Sequence, residues 1–165
     1  MTITIAPERR PAAFLAGRAH PARPLRVVRR DAVRAAPDAA AGTVLVADAH
    51  EESRAVCAML LRHNGFAVLE AATGEEAIRL AHAHHLDAIA LGPVLRGVDG
   101  IRALEVLKQD PATASIPVVV LSSAPDSEHE RRARAAGCAA YLPKPCPPRQ
   151  VLNTLRALTG RREAA

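Results

Sequence analysis

Three side chains with chemistry to offer stand where apolar runs end: Asp48 after VLVA, Ser122 after PVVVL, and Lys144 just past AAYLP. A carboxylate can bind a metal ion or attack an electrophile, a hydroxyl can hydrogen-bond an anion, and an ammonium can neutralise one. A fourth run, LDAIAL, ends at Gly92, which brings no side chain, and the residue after Asp48 is Ala49. With no second carboxylate beside it, Asp48 is the natural ion-pair partner of Lys144, because a cation left alone in a crevice is costly. Whether these residues meet depends on the elements that carry them.

The apolar runs are short and continuous: TVLVAD (43–48), FAVLEA (66–71), LDAIAL (86–91), PVVVLS (117–122) and CAAYL (138–142). Continuous rather than alternating runs are expected of a parallel sheet covered on both faces. Helical patterns lie between them. In the first, Val56, Met59, Leu60 and His63 share one face, and Gly65 stands where a left-handed C-terminal cap belongs. The second opens with a Thr73/Glu76 capping box and turns Ala77, Leu80 and Ala81 inward. The third follows Asp99 with Ile101, Leu104 and Leu107, and the fourth opens with a Ser127/Glu130 box. The fifth begins at Pro147-Pro148 and buries Val151, Leu155 and Leu158. Strands alternating with helices predict an α/β fold, a doubly wound five-stranded parallel sheet with its ligand crevice outside the carboxyl ends of the strands. Asp48, Ala49, Gly92, Ser122 and Lys144 all fall at those ends.

The 165 residues are 49% apolar, enough for one core of ordinary size. No apolar run approaches the roughly 18 residues of a membrane span, and no secretory block opens the chain, so a cytoplasmic protein is expected. Cys57, Cys138 and Cys146 form an odd set without a CxxC pair, which argues against a disulfide framework or a zinc cluster. Charge is concentrated at one end: residues 1–42 hold eight arginines against Glu8, Asp31 and Asp38, a balance of +5 that equals the whole chain's. Pro7, Pro11, Pro21, Pro24 and Pro37 interrupt any helix there, so this segment reads as a disordered arm, followed by a domain at 43–160 and a tail at 161–165. With 2% aromatic residues in the chain, the arm supports non-specific attraction to nucleic acid and not sequence-specific binding.

The stretches VLVADAHEESR (44–54), VDG (98–100), PVVVLSSA (117–124) and AAGCAAYLPKPC (135–146) resemble the receiver domain of two-component response regulators, in register from about Val44 to Gly160. The resemblance implies a flavodoxin-like sheet of strand order 2-1-3-4-5. It also implies a site in which an aspartate after the third strand accepts a phosphoryl group from a histidine kinase, with magnesium held by an acidic pair after the first. Asp48 matches the first acid of that pair, Ser122 the hydroxyl, Lys144 the lysine that pairs with the phosphorylated aspartate, and Tyr141 the aromatic that rotates on activation. Two positions depart from the pattern: Ala49 stands where the second acid belongs, and Gly92 where the phosphoacceptor belongs.

The expectation is therefore a degenerate receiver of the phosphorelay class that is not an enzyme, needs no cofactor, holds magnesium weakly through Asp48 or not at all, and acts by protein contact. Only residues 161–165 follow the domain, so no output domain is expected behind it. The resemblance implies that a histidine kinase or downstream target, or a second copy in a homodimer, meets the face formed by the fourth helix, fifth strand and fifth helix, where Arg131, Arg132, Arg134 and Arg149 are charged candidates. Two alternatives remain open: phosphorylation at an unorthodox acceptor such as Asp99, and a small anionic ligand held by Lys144 and Ser122. Asp87 begins the third strand and belongs to the opposite end of the sheet. His82, His84 and His85 are spread around a helix end, which suits solvation better than metal binding, and His129 reads as solvated. Cys146 reads as a small packing residue, although its place beside Lys144 could lower its thiol pKa.

Overall fold

The computed structural model describes residues 41–123 and 127–160, so most of the expected arm and all of the expected tail lie outside the described residues. Within them, strands and helices alternate: β1 (Thr43–Ala47), α1 (Glu51–His63), β2 (Ala67–Ala71), α2 (Gly74–Ala83), β3 (Ala88–Leu91), α3 (Gly100–Gln109), β4 (Val118–Ser122), α4 (Ser127–Ala135), β5 (Ala140–Pro143) and α5 (Pro148–Leu158). All strand pairs are parallel, and the sheet order is β2-β1-β3-β4-β5. The register sets Ala47 beside Leu91 and Ser122 beside Pro143, which brings the ends of β1, β3, β4 and β5 to one edge.

Successive strand side chains point to opposite faces, so the sheet separates two apolar clusters. Leu45, Ile89, Val118 and Val120 meet Ala77, Ile101, Leu104, Leu107 and Ala133 of α2, α3 and α4. Val44, Val46, Ala88, Ala90, Val119 and Leu121 meet Leu61 of α1 and Val151, Leu152 and Leu155 of α5. Every residue of β3 is buried, which is why its sequence does not alternate.

The helix ends follow local chemistry. Gly65 has φ of 85°, and the bonds Phe66 N to Leu61 O at 3.0 Å and Gly65 N to Arg62 O at 3.1 Å close the last turn of α1. That pairing, with a left-handed residue after the cap, satisfies two otherwise orphaned carbonyls. At α2, Glu76 N donates to Thr73 Oγ1 at 3.2 Å, and Ala72 N donates to Glu76 Oε2 at 3.1 Å. Pro148 opens α5, where a missing N–H costs nothing.

Three local expectations need correction. The face of α1 that carries Val56, Met59, Leu60 and His63 is not its buried face; the helix buries Ala58 and Leu61 instead. Ser127 already lies inside α4, and Glu130 turns to Arg134 at 2.7 Å rather than back to a cap. The last strand starts at Ala140, not Cys138, because the turn at Gly137, with φ of 93°, uses up the preceding residues.

Candidate functional site

Asp48 leaves β1 with its backbone fixed on both sides: its N–H donates to Ala71 O at 3.1 Å, and its carbonyl accepts from Arg54 Nη1 at 2.8 Å. Arg54 is steadied in turn by Glu70, 3.4 Å from its Nε. The Asp48 carboxylate is 12% exposed and both its oxygens are engaged. Oδ2 lies 2.8 Å from Lys144 Nζ, and Oδ1 accepts from His50 N at 2.8 Å. Lys144 reaches this position because its own N–H is tied to Ser122 O, directly after the β4–β5 register ends.

The structure thus unites Asp48, Gly92, Ser122 and Lys144 at one edge, as their positions at the strand ends require. Gly92 follows β3 and its N–H donates to Ala47 O at 2.7 Å. A Cβ built on it would lie 3.4 Å from that carbonyl and 3.7 Å from Asp48 Cγ, so a side chain would find room and point beside Asp48. Ser122 is fully buried, and Ala49 packs against the α2–α3–α4 side of the core. Tyr141 is 8% exposed and belongs to the same cluster. Asp99 stands at the N-cap of α3 without a side-chain cap bond. A Cβ on Gly100, the next residue, would collide with the Gly92 carbonyl, so Asp99 comes to the same edge. Asp87 is at the other end of the sheet, where Oδ2 accepts from Thr43 N at 2.7 Å.

A magnesium ion takes oxygen ligands in near-octahedral geometry and is commonly held by one or two carboxylates plus waters and phosphate oxygens. Here Asp48 has both oxygens committed, Asp99 belongs to the N-cap of α3, and Ala49 and Gly92 add no side-chain donor. The donor set does not fit a magnesium site. Among the described residues no group of three or more His, Cys, Asp or Glu is arranged to hold a metal ion. His82 lies 3.4 Å from Asp110 across helices α2 and α3, and His84 and His85 are exposed beyond the end of α2.

A feature not anticipated from the sequence is a groove of about 1010 Å³ between α1 and α5. Val46, Ala90 and Leu121 form its floor, Leu60 and Val151 stand on its walls, and Asp48 and Lys144 mark its polar end. Cys57 and Cys146 also line the groove. Burial pushes the Cys57 thiol up to about 11, against a smaller downward pull from Lys144. No described helix is long and apolar enough to cross a membrane.

Comparison with known proteins gives a consistent result. The family description "Response regulator receiver domain" matches residues 44–156. The chain is 28% identical over 118 residues to the polar-differentiation response regulator DivK of Brucella ovis, which covers 72% of this chain and 96% of that protein. A crystal structure of a candidate response regulator from Chloroflexus aurantiacus superposes with a TM-score of 0.69 at 28% identity, covering 73% of this chain and 98% of that one. The receiver domain of the sensor histidine kinase PA1611 from Pseudomonas aeruginosa, solved with magnesium in its active-site cleft, shares the fold at a TM-score of 0.68 and 24% identity, over 72% of this chain and 98% of that one.

Proposed function

The chain belongs to the response regulator receiver domain family, and from that premise we propose that it is a receiver without phosphoryl-transfer chemistry, which signals through protein contacts alone and catalyses no reaction. The observation that carries this reading is Gly92 at the end of β3, beside an Asp48–Lys144 pair closed at 2.8 Å. Attack on phosphorus needs an in-line nucleophile, and a glycine offers none. The counter-charge such a site requires is also lacking, since Ala49 and Gly92 supply no donor and Asp48 is already paired with Lys144. Lys144 is held by Asp48 instead of awaiting a modified aspartate, so the pocket stays in one arrangement.

The proposed contact face joins α4, β5 and α5. On α4, Arg131 and Arg134 are paired with Glu128 and Glu130 at 2.7 Å, which lowers the charge they offer a partner. Arg132 of α4 and Arg149 of α5 are exposed and are the stronger candidates for steering a histidine kinase or a downstream target. The reading is tested by titrating magnesium while following backbone amide resonances of residues 47–49 and 92. The natural chain is expected to show no saturable change at millimolar magnesium, whereas the Ala49→Asp/Gly92→Asp variant saturates. Saturation by the natural chain would count against the reading.

A further inference from the structure

We propose that the chain self-associates as a two-fold dimer through helix α1. This helix carries two stripes of opposite orientation. One, with Ala58 and Leu61, packs on the sheet. The other consists of Glu52, Val56, Met59 and His63, whose spacing of four, three and four residues puts them on one narrow face. All four are exposed. Val56 is 61% and Met59 66% exposed, and with Val94 they are the exposed large hydrophobic residues of the described structure.

The stripe is complementary to itself, which is what an isologous interface requires. A two-fold axis passing between Val56 and Met59 runs two copies of α1 antiparallel. It sets Val56 against the partner's Met59 and Glu52 across from the partner's His63, each twice. The helix has Glu51 and Glu52 in its first turn and Arg62 and His63 in its last, so this arrangement lays acidic ends on basic ends. A parallel pairing would lay acid on acid. The stripe itself lines one side of the α1–α5 groove, with Leu60 next to it, so the partner's Met59 meets an apolar surface. The other helices lack such a stripe: α4 buries Ala133 alone and is otherwise mostly charged, and α5 commits Val151, Leu152 and Leu155 to the core. One helix pair is a modest interface, so the association depends on concentration. It uses neither Asp48, Gly92 nor Lys144 and stands apart from the proposal on phosphoryl transfer.

Sedimentation equilibrium of the full chain over a wide concentration range tests it, with circular dichroism confirming that each exposed-face variant is folded. A monomer–dimer equilibrium is expected. Met59→Glu and Val56→Glu each raise the dissociation constant at least about tenfold, a change of about 1.4 kcal/mol. Glu52→Lys and His63→Glu each weaken the dimer alone, and together they restore it, because the charges then match again across the axis. A chain monomeric at every concentration overturns the proposal and leaves the stripe to a different partner. So does a dimer insensitive to Met59→Glu, or a charge swap that fails to restore association.

Discussion

At the scale of single residues, the candidate site is defined by one absent side chain and one ion pair. Gly92 has room for a Cβ, so its lack of a side chain is not forced by crowding. The Asp48–Lys144 pair answers a physical need, since either charge alone in a mostly covered crevice would be left uncompensated. Cys57 makes a prediction at the same scale. Its thiol is raised from 9.0 to about 11, chiefly by burial, so the folded state holds a proton that the unfolded state releases earlier. Stability from this source is complete below pH 9 and is lost as the pH rises toward 11. Urea midpoints of the natural chain should therefore fall over that interval, and those of Cys57→Ala should fall less. Equal slopes for the two proteins would show that Cys57 does not carry the effect. Cys57 should also resist alkylation by iodoacetamide at neutral pH, because the thiolate is the reactive form.

At the scale of elements, the caps at the end of α1 and the start of α2 were legible because cap chemistry is local, whereas the Ser127/Glu130 box was not a cap. Thr73, Glu76 and Gly65 act as their positions in the sequence require. Gly65→Ala is expected to cost about 1 kcal/mol, since a Cβ there meets Ala41 at an unstrained 3.7 Å and the penalty lies in the left-handed backbone alone. Thr73→Ala is expected to cost a similar amount, about 1 kcal/mol, through loss of the cap bond. Chemical denaturation measures both, and a change below a few tenths would contradict the assignment. What the sequence left undetermined on α1 was which of two apolar stripes faces the sheet. Val56 and Met59 are larger than Ala58, and size alone points the wrong way. The sheet is reached by Leu61 and the small Ala58 because the helix lies close to the strands, a tertiary constraint that periodicity does not contain. The start of β5 was misplaced for a related reason: CAAYL reads as one apolar run, but its first residues are needed to complete the turn at Gly137.

At the scale of the whole molecule, the strand order β2-β1-β3-β4-β5 converts distant sequence positions into one edge. Asp48 and Lys144, 96 residues apart, touch for that reason. The site was readable in advance because its members end strands, and topology sends all those ends to one side. The groove between α1 and α5 was not readable, because it depends on how two helices straddle the sheet. The central claim is that this receiver has lost phosphoryl transfer while keeping its fold. The most direct test is the intact mass of the full chain after incubation with magnesium and acetyl phosphate, beside the Ala49→Asp/Gly92→Asp variant. A phosphoryl mass on the variant alone is the predicted result. The same mass on the natural chain would contradict the claim and direct the search for an acceptor first to Asp99.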